Sequence, residues 1–190
     1  MKRTLLREIE RCSLREFSVL DVGAGSGELL RVIAEFAREN DRKAVLTGLD
    51  LNEISALSVE RESENFPEIS SVRGDAFSLP FADGAFDYAI CSLFTHHLSD
   101  EQIRRMIPEM SRIARRGIVV IDLERSPTAW LLYQLFCIVC RISPLVRQDG
   151  SLSIKKGFRV EEFERFAEEL EIANANVVRS APFRVVLSTT

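Results

Sequence analysis

The residues that most constrain this chain are 19–27, which read Val-Leu-Asp-Val-Gly-Ala-Gly-Ser-Gly. The apolar residues predict a buried β-strand, and the glycines after it remove Cβ atoms where a ligand must lie against bare backbone. Apolar residues then recur at helical spacing over 29–37, which predicts a helix directly after the loop. Ligands of open α/β sheets bind at such strand ends, so the first hypothesis is a cofactor pocket.

The spacing of the glycines separates the candidate cofactors. A dinucleotide fingerprint requires Gly-x-Gly-x-x-Gly, but counted from Gly23 the third glycine position is occupied by Glu28. A P-loop ends in Gly-Lys-Ser or Gly-Lys-Thr, and no lysine lies near this loop. Asp21 precedes the loop, where a carboxylate repels a phosphate and attracts an ammonium or sulfonium group. The pattern therefore favours a cationic ligand over a dinucleotide.

Acidic residues also end the next two predicted strands. Asp50 follows the apolar run over 44–49, where one carboxylate can accept hydrogen bonds from two vicinal ribose hydroxyls. Asp75 follows the strand predicted near 69–73 and can accept a hydrogen bond from an adenine amino group. Three successive strands therefore end in an acid, and the first of them also carries the glycines.

With Phe86-Asp87-Tyr88 and the segment 93–98, these stretches make residues 17 to 123 resemble the class I methyltransferases that use S-adenosylmethionine. The resemblance implies that the glycine loop holds the methionine part of the cofactor, Asp50 its ribose and Asp75 its adenine. The cofactor-binding residues that we expect are Asp21, Gly23, Ala24, Gly25, Gly27, Asp50, Leu51, Asp75, Ala76 and Ser92.

The order of the predicted elements gives the fold class. Strands alternate with helices, which predicts a mostly parallel sheet covered on both faces. The connection between the last two strands is so short that it permits only an antiparallel pair. We expect an α/β, Rossmann-like, doubly wound seven-stranded sheet with an antiparallel C-terminal hairpin strand. Strands are predicted near 17–22, 44–49, 69–73, 86–92, 117–122, 175–181 and 183–188, and helices near 4–12, 27–39, 53–65, 100–115, 127–142 and 160–171.

Length and charge restrict the organisation of the chain and its partners. Its 190 residues predict a single methyltransferase domain over 1–190, with an N-terminal cover that is short or missing by comparison with the family pattern. A formal net charge of −4 argues against a nucleic-acid partner. The chain begins with charges and lacks the apolar core of a signal peptide, which predicts a cytoplasmic protein. We expect a monomer or homodimer with a small-molecule methyl acceptor.

Both histidines of the chain, His96 and His97, lie in the segment that ends the fourth predicted strand. Methyl transfer requires the nucleophile, methyl carbon and sulfur to be aligned, and a phenol or alcohol also requires a base. An imidazole can deprotonate an acidic phenol, so either histidine is a candidate catalytic base. Alternatively, one packs against the cofactor and the other caps the next helix. Two adjacent histidines lack the spacing of a metal site, so we predict no metal.

An unusually apolar segment over 127–146 follows the fifth predicted strand. It is too short and too interrupted for a transmembrane span. A core helix is the default interpretation, a helix that lines an apolar acceptor site is the second, and a weak interfacial contact with a membrane is the third.

Polar residues and glycine over 147–153 predict a loop across the mouth of the pocket. The loop is similar to the His-Asp-Gly-x-Leu-Ser loop of bacterial methyltransferases of polyketide and phenolic-lipid pathways, but Gln148 replaces the histidine. We predict that Asp149, Phe158 and His97 bind the acceptor. The alternatives are a turn-forming Asp-Gly pair at Asp149 and a core aromatic at Phe158.

The leading hypothesis is transfer of a methyl group from S-adenosylmethionine to oxygen or carbon of a small, apolar acceptor, either aromatic, quinone-like or polyketide-like. One alternative is a non-catalytic methyltransferase-like domain, because only a short segment precedes the glycine loop. A second alternative is a reductase that uses NAD(P), which conflicts with Glu28.

Overall fold

A computed structural model describes residues 14–189 of the chain, so the helix predicted near 4–12 lies outside the described residues. Helices and strands alternate through most of this range. The strands are β1 (Glu16–Val22), β2 (Lys43–Asp50), β3 (Ile69–Arg73), β4 (Phe86–Ser92), β5 (Ala114–Leu123), β6 (Asn176–Ser180) and β7 (Arg184–Ser188). The helices are α1 (Glu28–Glu39), α2 (Glu53–Glu62), α3 (Asp100–Ile113), α4 (Pro127–Val139), α5 (Pro144–Lys156) and α6 (Val160–Glu169), with a short 3₁₀ turn at Thr95–His97.

All seven strands form one sheet in the order β3-β2-β1-β4-β5-β7-β6. The pairs among β1 to β5 are parallel, whereas β7 runs antiparallel to both of its neighbours. This confirms the predicted Rossmann-like α/β fold and the reversed strand of the C-terminal hairpin. The strand order reverses at β1, so the carboxyl ends of β1 and β4 border the crevice where ligands of such sheets bind.

Each face of the sheet packs against its own set of helices. Alternate residues of a strand point to opposite faces, so Leu20 and Val22 belong to one core while Val19 belongs to the other. The first core is completed by α3 and α6, and the second by α1 with one residue of α2. The apolar pattern that predicted α1 therefore corresponds to a helix face buried against the sheet.

Helix α3 begins at a capping box, in which the Ser99 side chain accepts from the backbone of Gln102 and the Gln102 side chain accepts from the backbone of Ser99. Pro108 lies inside this helix, where proline ordinarily kinks or breaks the chain. Instead, Asp100–Ile113 is one continuous helix with Pro108 on its exposed side. A carbonyl that loses its partner to proline on the exposed side can hydrogen-bond to water, so the helix need not break there.

The predicted loop over 147–153 is wrong, because these residues belong to helix α5. Ser143 caps this helix by accepting from Val146, and Pro144 occupies its first turn, where proline costs least. A Cβ on Gly150 would lie 2.2 Å from the Tyr133 hydroxyl oxygen. The glycine thus allows α4 and α5 to approach each other, a role that the sequence cannot distinguish from that of a turn.

The default interpretation of the apolar segment as a core helix is also wrong. Only Ala129, Gln134 and Cys137 of α4 are buried, and none of the thirteen residues of α5 is. Within residues 14–189, no helix has the length and apolar character that a membrane crossing requires. Helices α4 and α5 therefore form a hairpin that stands largely outside both cores.

Candidate functional site

The glycine loop is fastened to the end of the neighbouring strand. The backbone N–H groups of Gly23 and Ala24 both donate to the carbonyl of Leu49, at 2.8 and 3.1 Å. One residue further along each segment, the N–H of Gly25 donates to Oδ2 of Asp50 at 3.1 Å. These bonds hold the Asp50 carboxylate against the loop, so two parts of the predicted site are adjacent.

Two glycines of the loop are required by the geometry, for different reasons. Gly23 has a φ of +75°, and a Cβ built on it would lie 2.6 Å from Cγ of Phe94. Gly25 has a φ of +56°, but no atom of residues 14–189 lies within 4 Å of the position where its Cβ would be. Both conformations are costly for residues with a side chain. Gly23 therefore permits the contact with Phe94, whereas Gly25 borders open space where a ligand can approach the backbone.

Asp21 lies near the end of β1, two residues before this loop, and is almost fully buried, with 3% of its surface exposed. Among residues 14–189, nothing hydrogen-bonds to its Oδ1 atom. Burial raises the pKa of this carboxyl to about 8, and the charge of Asp50 contributes further. A buried carboxylate without a partner is costly, so the site is electrostatically incomplete and suits a positively charged ligand group.

The two other strand-end acids are held by local backbone bonds. Oδ1 of Asp50 accepts from Asn52 at 2.9 Å, and Oδ1 of Asp75 accepts from Phe77 at 2.9 Å. The N–H of Gly74 donates to the carbonyl of Asp50 at 3.1 Å, which joins the ends of β2 and β3. Each carboxylate keeps lone pairs for further donors, so both can accept hydrogen bonds from a ligand.

The remaining predicted cofactor residues differ in exposure. Gly27 has a φ of +76° and begins α1, while Ala76 is buried beside Asp75. Ser92 is half-buried at the end of β4, and Leu51 is 63% exposed. Their roles as ligand contacts stay predictions.

These residues fit the cofactor that the fold family implies. S-Adenosylmethionine carries an ammonium and a sulfonium group, which match the Asp21 carboxylate, whose Oδ1 atom has no partner among the described residues. Its ribose hydroxyls and adenine amino group are hydrogen-bond donors, which match Asp50 and Asp75. The open space over Gly25 lets such a molecule reach the backbone of the loop.

On the other side of the crevice, a buried carboxylate organises the histidine segment. Asp122, at the end of β5, is fully buried. Its Oδ1 lies 2.7 Å from Nδ1 of His96, and its Oδ2 accepts from the backbone N–H of His96 at 2.9 Å. The Thr95 hydroxyl also donates to Oδ2, and the N–H of Leu123 donates to Oδ1 at 2.6 Å. Four donors therefore converge on this side chain.

These donors decide the ionisation of Asp122 and the orientation of the His96 ring. Burial by itself would raise the pKa of Asp122, but the hydrogen bonds from His96 and Thr95 outweigh it and lower the pKa below its ordinary value. An ionised carboxylate only accepts hydrogen bonds, so Nδ1 of His96 carries the hydrogen. In the neutral ring this leaves Nε2 as an acceptor.

His97 is exposed, whereas His96 is buried, and their ring centroids are 4.1 Å apart. The ring of His97 is nevertheless partly withdrawn from water, and this desolvation together with the nearby charge of His96 lowers the pKa of His97, while Asp122 and Asp149 oppose that shift. A neutral imidazole at neutral pH can accept a proton. Asp149, on α5, is therefore close enough to influence His97, and the structure brings these two predicted residues together.

Phe158 lies in the core rather than at an open surface. It is 7% exposed, stacks on Phe163 with ring centroids 4.7 Å apart, and donates its N–H to the carbonyl of Leu123 at 2.8 Å. This environment corresponds to the alternative of a core aromatic. The contact of Phe158 with the methyl acceptor stays a prediction, since its packing in the core needs no such role.

Sequence reasoning missed two residues of the site, Asp122 and Phe94. Asp122 follows four apolar residues of β5, the same signal of an acid at a strand end that identified Asp21 and Asp50. Phe94 lies across the glycine loop against Gly23. No local pattern indicated this contact, because it joins residues 71 positions apart in different loops.

Comparisons with known proteins agree with this geometry. Residues 19–117 match the family model described as a methyltransferase domain. A demethylmenaquinone methyltransferase of Bacillus licheniformis is 28% identical over 150 residues, which cover 78% of this chain and 62% of the relative. A demethylmenaquinone methyltransferase of Shouchella clausii is 34% identical over 144 residues, covering 73% and 57%. The chain thus spans about three fifths of the length of these curated relatives.

Solved structures show the same fold at low sequence identity. A SAM-dependent methyltransferase from Aquifex aeolicus has a TM-score of 0.72 and 17% identity, covering 98% of this chain and 87% of the other. A magnesium protoporphyrin IX methyltransferase from Synechocystis with bound SAH has a TM-score of 0.68 and 15% identity, covering 98% and 79%. From the family match and this fold, the chain belongs to the methyltransferase-domain family and has the class I, S-adenosylmethionine-dependent type of architecture.

Proposed function

We propose that this chain transfers a methyl group from S-adenosylmethionine to a small, apolar, quinone-like acceptor. The observation that carries the proposal is the buried Asp21 carboxylate at the end of β1, two residues before an open glycine loop, because its Oδ1 atom has no partner among the described residues. The methyltransferase-domain match over residues 19–117 supports the same activity.

In this proposal the strand-end acids bind and orient the cofactor. When bound, S-adenosylmethionine supplies an electrophilic methyl group on a positively charged sulfur. Asp21 neutralises positive charge on the methionine part, Asp50 accepts from the ribose hydroxyls, and Asp75 accepts from the adenine. Phe94 covers the glycine loop and helps to exclude water from the reacting groups.

The histidine segment handles the proton of the acceptor. Asp122 fixes the ring of His96 through the bond to Nδ1, so His96 has one defined orientation. His97 is exposed, and its lowered pKa keeps it neutral and able to take a proton from a phenolic hydroxyl. Removing that proton makes both the oxygen and the adjacent ring carbon of a quinol more nucleophilic, so the same base can support O-methylation or C-methylation.

Two observations favour an apolar acceptor of this class. Relatives that are 28% and 34% identical are named demethylmenaquinone methyltransferases. In addition, a largely apolar groove of about 400 Å³ lies between the α4–α5 hairpin and the turn before β7, and Leu132, Phe136 and Phe183 contribute to its walls. A fused-ring quinol can be accommodated by such side chains.

Calorimetric titration with S-adenosylhomocysteine tests the cofactor half of the proposal. Asp50→Ala removes charge-assisted hydrogen bonds to the ribose and is expected to weaken binding by roughly 10- to 100-fold. Glu39→Ala removes the same charge from an exposed position on α1 and is the matched control, with unchanged affinity expected. Equal affinity in both variants would contradict the assignment.

Transfer of a labelled methyl group to a short-chain demethylmenaquinol tests the acceptor half. We expect labelled product from the unmodified chain and a loss of roughly 10²-fold or more with His97→Ala. Tight binding of S-adenosylhomocysteine without labelled product would favour the non-catalytic binding domain. Tighter binding of NADH than of S-adenosylhomocysteine would favour the reductase.

A further inference from the structure

Helix α4 exposes its large apolar side chains and buries a polar one, the reverse of a helix that covers a sheet. Its buried side carries Gln134 and Cys137, and Gln134 is only 9% exposed. Successive residues of an α-helix are rotated by about 100°, which places the exposed large apolar side chains on one arc of less than half a turn. These side chains are Leu131, Leu132, Leu135, Phe136, Ile138 and Val139, each between 49% and 72% exposed.

Polar contacts between α4 and α5 explain this orientation. Nε of Arg147 donates to Oε1 of Gln134 at 2.6 Å, and Nε2 of Gln134 donates to Oγ of Ser151 at 2.5 Å. The Tyr133 hydroxyl donates to the carbonyl of Val146 at 2.9 Å. The inside of the hairpin is therefore polar and hydrogen-bonded, and its apolar side chains are turned outward as a set.

Helix α5 extends the apolar surface. Leu145 is 77% exposed, Val146 55% and Leu152 49%. Soluble domains rarely expose apolar side chains in a contiguous patch of this kind, and where they do, the patch usually marks an interaction surface. We call the exposed apolar residues of α4 and α5 together the apolar hairpin face.

The charges around the apolar hairpin face indicate what it contacts. Residues 125–159 contain six Lys and Arg against one Asp and no Glu, although the whole chain has a formal net charge of −4. The rest of the chain is consequently strongly acidic. Arg125 pairs with Glu162, whereas the other five cations are exposed and form no ion pair with a carboxylate among the described residues. These five are Arg141, Arg147, Lys155, Lys156 and Arg159.

Aliphatic side chains beside lysine and arginine match the interface of an anionic bilayer. The apolar groups can enter the boundary between headgroups and acyl chains, and the cations can contact acidic headgroups. A nucleic acid would attract the same cations, but sites for single strands add aromatic side chains on which bases stack and sites for duplexes add polar side chains that contact phosphates and base edges, whereas the apolar hairpin face is mainly Leu, Ile and Val. A second copy of this chain would bring the same positive charges together, which opposes association through this face.

We propose that the apolar hairpin face docks this protein on the surface of an anionic membrane. Helix α5 also contacts the 3₁₀ turn that carries His96 and His97, and the apolar groove lies between the hairpin and the turn before β7. Docking would therefore bring the acceptor side of the crevice close to the lipid, from which an apolar acceptor can enter. The docking itself does not depend on the proposed acceptor.

Co-sedimentation with vesicles tests the proposal on the full chain. We expect binding to vesicles of phosphatidylcholine and phosphatidylglycerol in equal amounts, weaker binding to phosphatidylcholine alone, and weakening by added salt. Lys155→Glu with Lys156→Glu should reduce the affinity by roughly tenfold or more. The charge-matched control, Arg15→Glu with Arg61→Glu, alters two exposed cations elsewhere and should lose much less.

The apolar contribution requires its own variants. Leu131→Ser with Leu135→Ser should also reduce vesicle binding by roughly tenfold or more, while Ile54→Ser with Leu57→Ser changes two exposed apolar residues of α2 and should not. All four positions are solvent-exposed, so unchanged circular dichroism is expected, and it separates lost docking from lost folding.

Several outcomes would overturn the proposal. These are failure of the unmodified chain to bind anionic vesicles, equal loss in the test and control variants, and a homodimer that Leu135→Ser dissociates. Binding of S-adenosylhomocysteine is measured without lipid, so failure of the docking proposal is distinguishable from failure of the proposed activity. RNA binding stronger than vesicle binding would likewise contradict the choice of a lipid surface.

Discussion

The two halves of the crevice use the same chemistry in different ways. On the β1–β3 side, carboxylates at strand ends face a glycine loop, and the buried Asp21 keeps an oxygen without a partner in the described chain. On the β4–β5 side, the buried Asp122 is surrounded by four donors from the chain itself. Two buried acids in adjacent parts of one sheet thus have opposite pKa shifts, raised for Asp21 and lowered for Asp122.

The difference indicates what each half requires. A buried carboxylate that lacks donors gains stability when a cation arrives, whereas a saturated one is already part of a fixed structure. The β1–β3 side, which we call the cofactor half of the crevice, therefore suits a ligand. The β4–β5 side, which we call the histidine half, is already a rigid support.

The largest expected effect is on the histidine half. Asp122→Ala removes the acceptor of four hydrogen bonds from a fully buried position, so we expect the free energy of unfolding to fall by about 3–5 kcal/mol. Asp83→Ala is the control, because Asp83 is 82% exposed and pairs with Arg112 at the surface, where loss costs about 0–1 kcal/mol. Urea denaturation of both variants measures the difference. A similar loss of stability in the two variants would mean that the four hydrogen bonds to Asp122 do not stabilise the fold.

The cofactor half is sensitive to the backbone of the loop. Gly23→Ala combines a left-handed backbone with a Cβ that meets the ring of Phe94, and we expect a loss of about 2–4 kcal/mol. Gly84 has a similar φ of +62°, but its Cβ would meet only the flexible side chain of Arg115, so Gly84→Ala should cost about 1–2 kcal/mol. If adding Phe94→Ala to Gly23→Ala restores no stability, the ring is not the obstacle.

Asp21 should make ligand binding depend on pH. The carboxyl is neutral below its raised pKa of about 8, and a cationic ligand favours the ionised form. Binding of S-adenosylhomocysteine below this pH should therefore release a proton, and the affinity should rise with pH, approaching about tenfold per unit until about pH 8. Calorimetry in buffers of different ionisation enthalpy measures the release. Asp21→Asn should abolish it.

The same shift has a consequence for stability without ligand. Between the ordinary pKa of 3.8 and about 8, the folded chain holds a proton at Asp21 that the unfolded chain has lost. This contribution to the free energy of unfolding is therefore fully present below about pH 4 and is lost as pH rises to about 8. The free energy of unfolding of the Asp21→Asn variant should not show this decrease with pH. An identical pH profile of stability in the variant and the unmodified chain would contradict the raised pKa of Asp21.

The smallest expected effect is on the apolar hairpin face. Leu131 is 63% exposed, so Leu131→Ala should change the free energy of unfolding by less than about 0.5 kcal/mol. Leu30 on α1 is fully buried, and Leu30→Ala should cost about 2–5 kcal/mol. Thermal or urea denaturation compares the two. A large loss from Leu131→Ala would show that the hairpin packs against the domain more closely than described.

Much of the fold and of the cofactor half was predictable from the sequence because the signals are local. The alternation of strands and helices, the glycine spacing and the acids at strand ends each occupy a few consecutive residues, and parallel strands bring their carboxyl ends to one edge. The family match and the fold confirm the resemblance and the α/β architecture. The individual ligand contacts stay predictions.

The errors arose where a pattern has two physical meanings. Asp149-Gly150 is typical of a turn, but here Gly150 provides space for Tyr133 within a helix pair. The apolar run of α4 is typical of a core helix, but polar contacts of Gln134 with Arg147 and Ser151 decide which side is buried. Neither outcome is encoded in the residues of one segment.

The sequence by itself determined the order of the elements, the sheet class and the acids that border the loop, because hydrophobic periodicity and glycine conformation act over short distances along the chain. Only the tertiary structure decided which buried carboxylate is saturated and which keeps an unpartnered oxygen. It also decided that the most apolar helix faces outward. Hydrogen-bond partners and burial depend on segments that are distant in sequence, so no local pattern could specify them.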